Sequence, residues 1–136
     1  MSLVLDSSMC LAWCFEDERT PEVLAVVERV IEHGAWVPPL WRYEIGNGLL
    51  MAQRRQRIDA DRRVALLAAL SDFSITEDRE PEGDPWRATS QLADLHRLTV
   101  YDAAYLELAQ RRRLPLATLD EALRVAARKA AVELLP

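Results

Sequence analysis

The sequence predicts an α/β fold in which a parallel sheet is covered by helices on both faces, and three observations carry that reading. Leu3 to Leu5, Ala35 to Val37 and Leu116 to Leu119 are short apolar runs, unbroken rather than alternating, the mark of strands buried on both sides. Longer segments with helical spacing separate them, and helical crossovers between buried strands imply parallel pairing. Gly is scarce, at four in 136 residues, while half of the residues are apolar, as in a helix-rich globular chain. That length suits one domain over 1–136, with a core large enough to need no staples and no linker or internal repeat to divide it.

The elements follow in order. Leu3 to Leu5 ends in Asp6, and Ser7 and Ser8 are placed to cap a helix carrying Met9, Leu11, Ala12 and Trp13. Thr20 as cap and Pro21 at the first helical position open a second helix to about Glu32. Its expected inner stripe is Val23, Leu24, Val27, Val30 and Ile31, and His33-Gly34 stops it. Ala35 to Val37 runs into Pro38-Pro39, and a helix from Leu40 leads to the basic residues Arg54, Arg55 and Arg57. A further helix, capped by Asp59 or Asp61, passes through Val64, Leu66, Leu67 and Leu70. Phe73 to Thr76 alternates like an edge strand, and an acidic, proline-containing loop follows from Glu77 to Pro85. Trp86 to His96 is helical with Leu92 and Leu95 inward; Thr99 then caps a helix whose apolar face holds Ala104 and Leu108. Arg111, Arg112 and Arg113 sit where a helix C-terminus favours cations, and Pro115 closes the segment. Leu116 to Leu119 is the strand that ends at Asp120, Glu121 to Ala131 is helical, and Val132 to Leu135 is a last strand.

Composition narrows the setting. No apolar run is long enough to cross a bilayer, and the N-terminus lacks the basic region and cleavage site of a secretory signal, so a cytoplasmic location is expected. Cys10 and Cys14 would share a helix face, but with only His33 and His96 elsewhere a zinc set is poorly supplied; small buried thiols are the plainer reading. The net charge of −5 argues against a nucleic-acid partner less than it seems to. If four of the acids form a cation site, −5 + 4 leaves −1 for the rest of the chain. Of the 17 basic residues 16 are Arg, which suits bidentate phosphate contacts.

The candidate site rests on those four acids. In an open parallel sheet, sites form beyond the carboxyl ends of the strands. Asp6 and Asp120 end buried strands, Glu44 follows the second strand through Pro38-Pro39, and Asp102 opens the helix before the Asp120 strand. All four can therefore reach one rim. Carboxylates gathered in a cleft repel one another unless a cation sits between them, and an all-oxygen set suits Mg²⁺ or Mn²⁺. Taken singly, Asp6 and Asp120 read as helix caps, Asp102 as the partner of Thr99 in a capping box, and Glu44 as a solvated helix residue. As a set they resist that reading, because caps have no reason to gather at one edge. Ser7, Ser8, Asn47 and Thr118 lie beside the acids, placed to orient carboxylates or to hydrogen-bond the local backbone.

Four stretches then resemble one family in order and across the whole chain: Val4-Leu5-Asp6-Ser7-Ser8, Trp41 to Asn47, Leu98 to Tyr105 around Asp102, and Leu116-Ala117-Thr118-Leu119-Asp120. They are similar to the PIN-domain nucleases, above all the VapC toxins of bacterial toxin–antitoxin pairs. The resemblance implies a three-layer α/β/α sandwich with a five-stranded parallel sheet in the order 3-2-1-4-5. It also implies a homodimer, a VapB-type antitoxin whose tail blocks the site, and Mg²⁺-dependent cleavage of RNA. The family's acids map onto Asp6, Glu44, Asp102 and Asp120, its hydroxyl after the first acid onto Ser7 or Ser8, its polar residue after the Glu onto Asn47, and its Thr onto Thr118. Some members carry further acids near the last, for which Glu121 is the only local candidate. Arg42, Arg54 and Arg55 are the residues expected to seat the RNA backbone. A phosphorylatable receiver module wants adjacent acids after the first strand and a late Lys, whereas Ser7 follows Asp6 and the lone Lys129 is helical. An Asp-x-Asp phosphotransferase would need an acid at Ser8. A PIN-like domain that binds partners without catalysis is the remaining alternative.

Overall fold

The computed structural model describes residues 1–79 and 84–136. The acidic loop expected from Glu77 to Pro85 therefore lies partly outside the described residues, at 80–83. The strands are β1 (Leu3–Leu5), β2 (Ala35–Val37), β3 (Ile75–Glu77), β4 (Leu116–Ala117) and β5 (Leu134–Leu135). All neighbours pair in parallel, in the order β3-β2-β1-β4-β5, as the resemblance implied. The helices are α1 (Ser7–Cys14), α2 (Pro21–His33), α3 (Trp41–Arg54), α4 (Ala60–Ser71), α5 (Pro85–His96), α6 (Val100–Arg112) and α7 (Glu121–Lys129). Their contacts fall into two layers: α1 touches α2 and α3, and α3 touches α4, while α6 touches α5 and α7. Among the described residues no helix is long and apolar enough to cross a membrane.

The order reverses at β1, which pairs with β2 on one side and β4 on the other. A crevice opens beyond the carboxyl end of such a reversal. β1 and β4 are fully inside the core, which Met9, Leu49, Leu106 and Leu123 complete from the helices. The helix starts follow the capping signals. Thr20 accepts from the Val23 amide, Asp59 (not Asp61) from Arg62, and Thr99 from Asp102. Both cysteines are free and buried.

Several expected boundaries and faces shift. The edge strand starts at Ile75 rather than Phe73, β4 ends at Ala117 and β5 begins only at Leu134. In α2 the inward stripe is Val23, Val26 and Val30, and Leu24 and Ile31 face solvent, Ile31 at 63% exposure. Two apolar stripes with helical spacing lie about 100° apart on this helix, and periodicity cannot choose between them. Val64 of α4 and Leu95 of α5 are likewise exposed, at 65% and 73%. Thr89 is buried in α5, its hydroxyl satisfied by the Pro85 carbonyl at 2.6 Å. The arginines at the end of α6 do more than offset a helix dipole. Arg111 and Arg112 both donate to buried Asp78, and Arg112 stacks 3.6 Å from the centre of the Trp36 ring. Burial would raise the Asp78 carboxyl, but the two guanidiniums hold it below the ordinary range.

Gly34 ends α2 at φ 73° and ψ 177°, a region open almost solely to glycine, and an added Cβ would meet the Ser74 carbonyl at 2.9 Å. Gly34→Ala is therefore expected to lower stability by about 2 kcal/mol, whereas Gly46→Ala, whose Cβ would meet nothing within 4 Å, should leave it unchanged or raise it. Urea unfolding of the two variants checks the contrast.

Candidate functional site

The crevice at the end of β1 is built around Asp6. It is only 3% exposed and occupies the N-cap position of α1, yet its side chain makes no capping bond. Ser7 and Ser8 belong to the first turn of α1 instead of capping it, and their hydroxyls serve the carboxylate. Ser8 Oγ donates to Asp6 Oδ2 at 2.6 Å, Thr118 Oγ1 to the same oxygen at 2.6 Å, and Ser7 Oγ reaches Oδ1 at 3.5 Å. Thr118 is fully buried between β4 and α7; its hydroxyl also accepts from the Asp120 amide at 3.0 Å. The Leu119 amide donates to Ser8 Oγ at 3.0 Å. Two chain corners, 110 residues apart, are thus tied through one carboxylate and two hydroxyls.

The other three acids approach from helix starts. Glu44, in the first turn of α3, accepts from the hydroxyl of Tyr105 at 2.5 Å, across the end of the sheet from α6. Tyr105 was not foreseen, although its place three residues after Asp102 on one helix face was the available signal. Asp102 lies in the first turn of α6, where its amide donates to Thr99 Oγ1 at 3.1 Å and the same hydroxyl favours the charged form of its carboxylate. Asp120 does cap α7, with Oδ1 accepting from the Leu123 amide at 2.8 Å. The cap reading therefore describes one oxygen of Asp120 and neither oxygen of Asp6.

Electrostatics show that the four acids share one neighbourhood. The Asp102 carboxyl is pushed up to about 6, first by burial and then by the negative charges of Asp120, Asp6 and Glu44. Asp6 is raised chiefly by burial, against the hydroxyl hydrogen bonds that favour its charged form, with the charge of Asp120 adding to the rise. Burial raises Glu44 as well, and Asp6 adds to it. Among the described residues none of the four is ion-paired with a cation. As they stand, no three Asp, Glu, His or Cys side chains among the described residues converge tightly enough to enclose a metal ion. The donor chemistry nevertheless fits Mg²⁺, which is held by one or two carboxylates and keeps several of its waters.

The remaining expected site residues lie further out. Asn47 is exposed one turn beyond Glu44 on α3. Arg42 Nε is engaged by Glu77 at 3.0 Å. Arg54 and Arg55 are exposed at the other end of α3, about 15 Å along its axis from Glu44. Glu121 follows the cap in the first turn of α7, exposed, 3.9 Å from Arg128.

Comparison with known proteins agrees with this architecture. A family model described as the PIN domain matches residues 3–129. The chain is 31% identical over 123 residues to Ribonuclease VapC3 of Pyrobaculum aerophilum, a match covering 90% of this chain and 92% of that one. It is similar to the crystal structure of PAE2754 from Pyrobaculum aerophilum, with a TM-score of 0.67 and 27% identity, covering 96% of this chain and 90% of the other. FitAcB from Neisseria gonorrhoeae has the same fold, with a TM-score of 0.69 at 18% identity over 100% of this chain and 97% of that one.

The raised Asp102 carboxyl has a consequence for stability. Its folded value of about 6 lies above the ordinary 3.8, so the folded state holds this proton more tightly than the unfolded chain does. That contribution is complete below pH 3.8 and is lost as pH rises through about 6. In metal-free protein at neutral pH, Asp102→Asn should therefore raise stability by about 1 kcal/mol, after allowance for solvent screening of a half-buried carboxylate, or about 3 °C in Tm. Added Mg²⁺ should raise the Tm of the wild type and do so less for the variant. Calorimetric melts across pH 4 to 8, with and without Mg²⁺, test both signs.

Proposed function

The chain belongs to the PIN-domain family, among its VapC-type members, and on that footing we propose that it is a metal-dependent endoribonuclease, the toxin of a toxin–antitoxin pair. The observation that supports this most directly is the cluster of four carboxylates at the end of β1 and β4, where burial and neighbouring negative charge raise Asp6, Glu44 and Asp102 and no cationic side chain among the described residues is paired with any of the four. A fold seeking only stability would pair or dilute them. In this reading Asp6, Glu44, Asp102 and Asp120 would hold one or two Mg²⁺ or Mn²⁺ ions, whose positive charge would favour the ionised carboxylates. When bound, the ion supplies Lewis acidity toward a phosphodiester and a water of lowered pKa.

The protein's part is positioning. Ser7, Ser8 and Thr118 aim the Asp6 carboxylate and favour its charged form, and Tyr105 fixes Glu44 by the hydroxyl it donates. The starts of α6 and α7 favour negative charge at Asp102 and Asp120. No side-chain nucleophile is required, in keeping with His33 and His96 lying outside the cluster. Family membership supports the rest of the proposal: a cytoplasmic homodimer whose RNA cleavage is silenced by a VapB-type antitoxin.

A binding domain without catalysis is the competing reading, and what favours it is that the carboxylates do not close on one point by themselves. Two measurements separate them. Asp6→Asn should abolish RNA cleavage and growth arrest, and Thr118→Val should lower cleavage by about 10- to 100-fold, both variants remaining folded by circular dichroism. Titration calorimetry should show Mg²⁺ binding to the wild type that Asp6→Asn lacks. Cleavage that persists in EDTA, or wild type that takes up no divalent ion, would overturn the proposal.

A further inference from the structure

The corner between β4 and α7 sends three polar groups inward, to Asp6 and the hydroxyls around it. Thr118 Oγ1 donates to the Asp6 carboxylate, the Leu119 amide to Ser8 Oγ, and the Asp120 amide to Thr118 Oγ1. The carbonyl of Thr118 is held by a different residue, from the helix that the corner opens. Arg124 Nη1 donates to it at 2.9 Å, and more loosely, at 3.5 Å, to the carbonyl of Leu135, the last residue of β5. One guanidinium therefore joins the ends of two neighbouring strands at the rim where the acids lie.

Local geometry explains the reach. Helical side chains lean toward the N-terminus of their helix, so Arg124, four residues after the cap Asp120, lies back over the first turn of α7. The dipole near a helix start favours acids rather than cations, so this charge does not serve α7. Arg124 is half-buried, and among the described residues it is ion-paired with no acid. Its listed work is to hold backbone, and the backbone it holds needs holding. The paired residues of β4 end at Ala117, so Thr118 lies one residue beyond the ladder that would otherwise fix it. Its hydroxyl nevertheless meets Asp6 Oδ2 at 2.6 Å, a contact that a small rotation of the Thr118 backbone would break.

We propose that Arg124 is a positioning residue of the acid site: its guanidinium fixes the Thr118 backbone and, through it, the hydroxyl that orients the Asp6 carboxylate. This rests on the nuclease reading and deepens it, because it makes the geometry of the central acid depend on a residue that touches neither substrate nor metal. A charged donor suits the task, since hydrogen bonds from an ionised group are shorter and stronger than neutral ones. The cation nearest this corner is spent on carbonyl oxygens, which leaves the carboxylates unpaired.

The test compares Arg124→Met, which keeps the apolar stem and removes the donors, with Arg124→Lys, which keeps a charged donor. Titration calorimetry of the metal-free protein should show Mg²⁺ binding about ten-fold weaker in Arg124→Met and close to wild type in Arg124→Lys. With an RNA substrate, Arg124→Met should lower kcat about ten-fold and leave KM unchanged. Because the effect runs through Thr118, the double variant with Thr118→Val should bind Mg²⁺ no more weakly than Thr118→Val alone. All variants should remain folded by circular dichroism. Wild-type Mg²⁺ affinity and kcat in Arg124→Met, or a chain that no longer folds, would make Arg124 a support of the strand ends alone and overturn the proposal. A raised KM at unchanged kcat would make it a contact to the RNA instead. Losses that add to those of Thr118→Val, or a lysine variant as impaired as the methionine one, would overturn it as well. None of those results touches the nuclease reading. A wild-type protein that neither takes up Mg²⁺ nor cuts RNA would remove that reading and this inference with it.

Discussion

The structure depends on satisfying the oxygens of one buried carboxylate that has no cation beside it among the described residues. Asp6 lies at the end of the central strand with almost no solvent contact. Burying an ionised carboxylate is expensive unless hydrogen bonds replace its hydration. Hydroxyls of Ser7, Ser8 and Thr118 do so, and because they come from both the β1–α1 and β4–α7 corners they also join those corners. The rim of the crevice is therefore organised by the same bonds that make its central acid tolerable.

The molecule treats its acids in two opposite ways. Asp78 is as deeply buried as Asp6 but carries two guanidiniums, and its proton affinity falls below the ordinary range. Glu107 and Arg111, Asp17 and Arg57, and Glu77 and Arg42 form further pairs. With 17 basic residues in the chain, Asp6, Glu44, Asp102 and Asp120 are still paired with none among the described residues. In the first case opposite charge lowers the proton affinity of a buried acid; in the second, burial and like charges raise it. The contrast is internal to one protein, so it does not reflect a shortage of cations.

Part of this was legible in the residues alone. Unbroken apolar runs of three or four residues marked the buried strands, and Thr20, Thr99 and the pair Asp59 or Asp61 marked helix starts that the structure bears out, with Asp59 as the cap. The positions of the four acids just after strands or at helix starts pointed to one rim, and in the structure the charges of Asp120, Asp6 and Glu44 all act on Asp102. Their individual roles were less legible. A lone Asp at a helix start is equally good as cap or ligand, and only coordinates show that Asp6 leaves its helix uncapped while Asp120 does not.

What the chain determined by itself was periodicity and sign: roughly where apolar runs and helices begin, and that four acids stand at strand ends or helix starts. These are local properties, set by side-chain chemistry and backbone preference over a few residues. Tertiary packing decided the absolute phase. It chose Val26 over Leu24 in α2, exposed Leu95, and turned Arg111 and Arg112 toward Asp78. It also brought Tyr105 to Glu44 from 61 residues away. Helical spacing defines a face only relative to its own helix, and which face is inward depends on neighbours that arrive from distant parts of the chain.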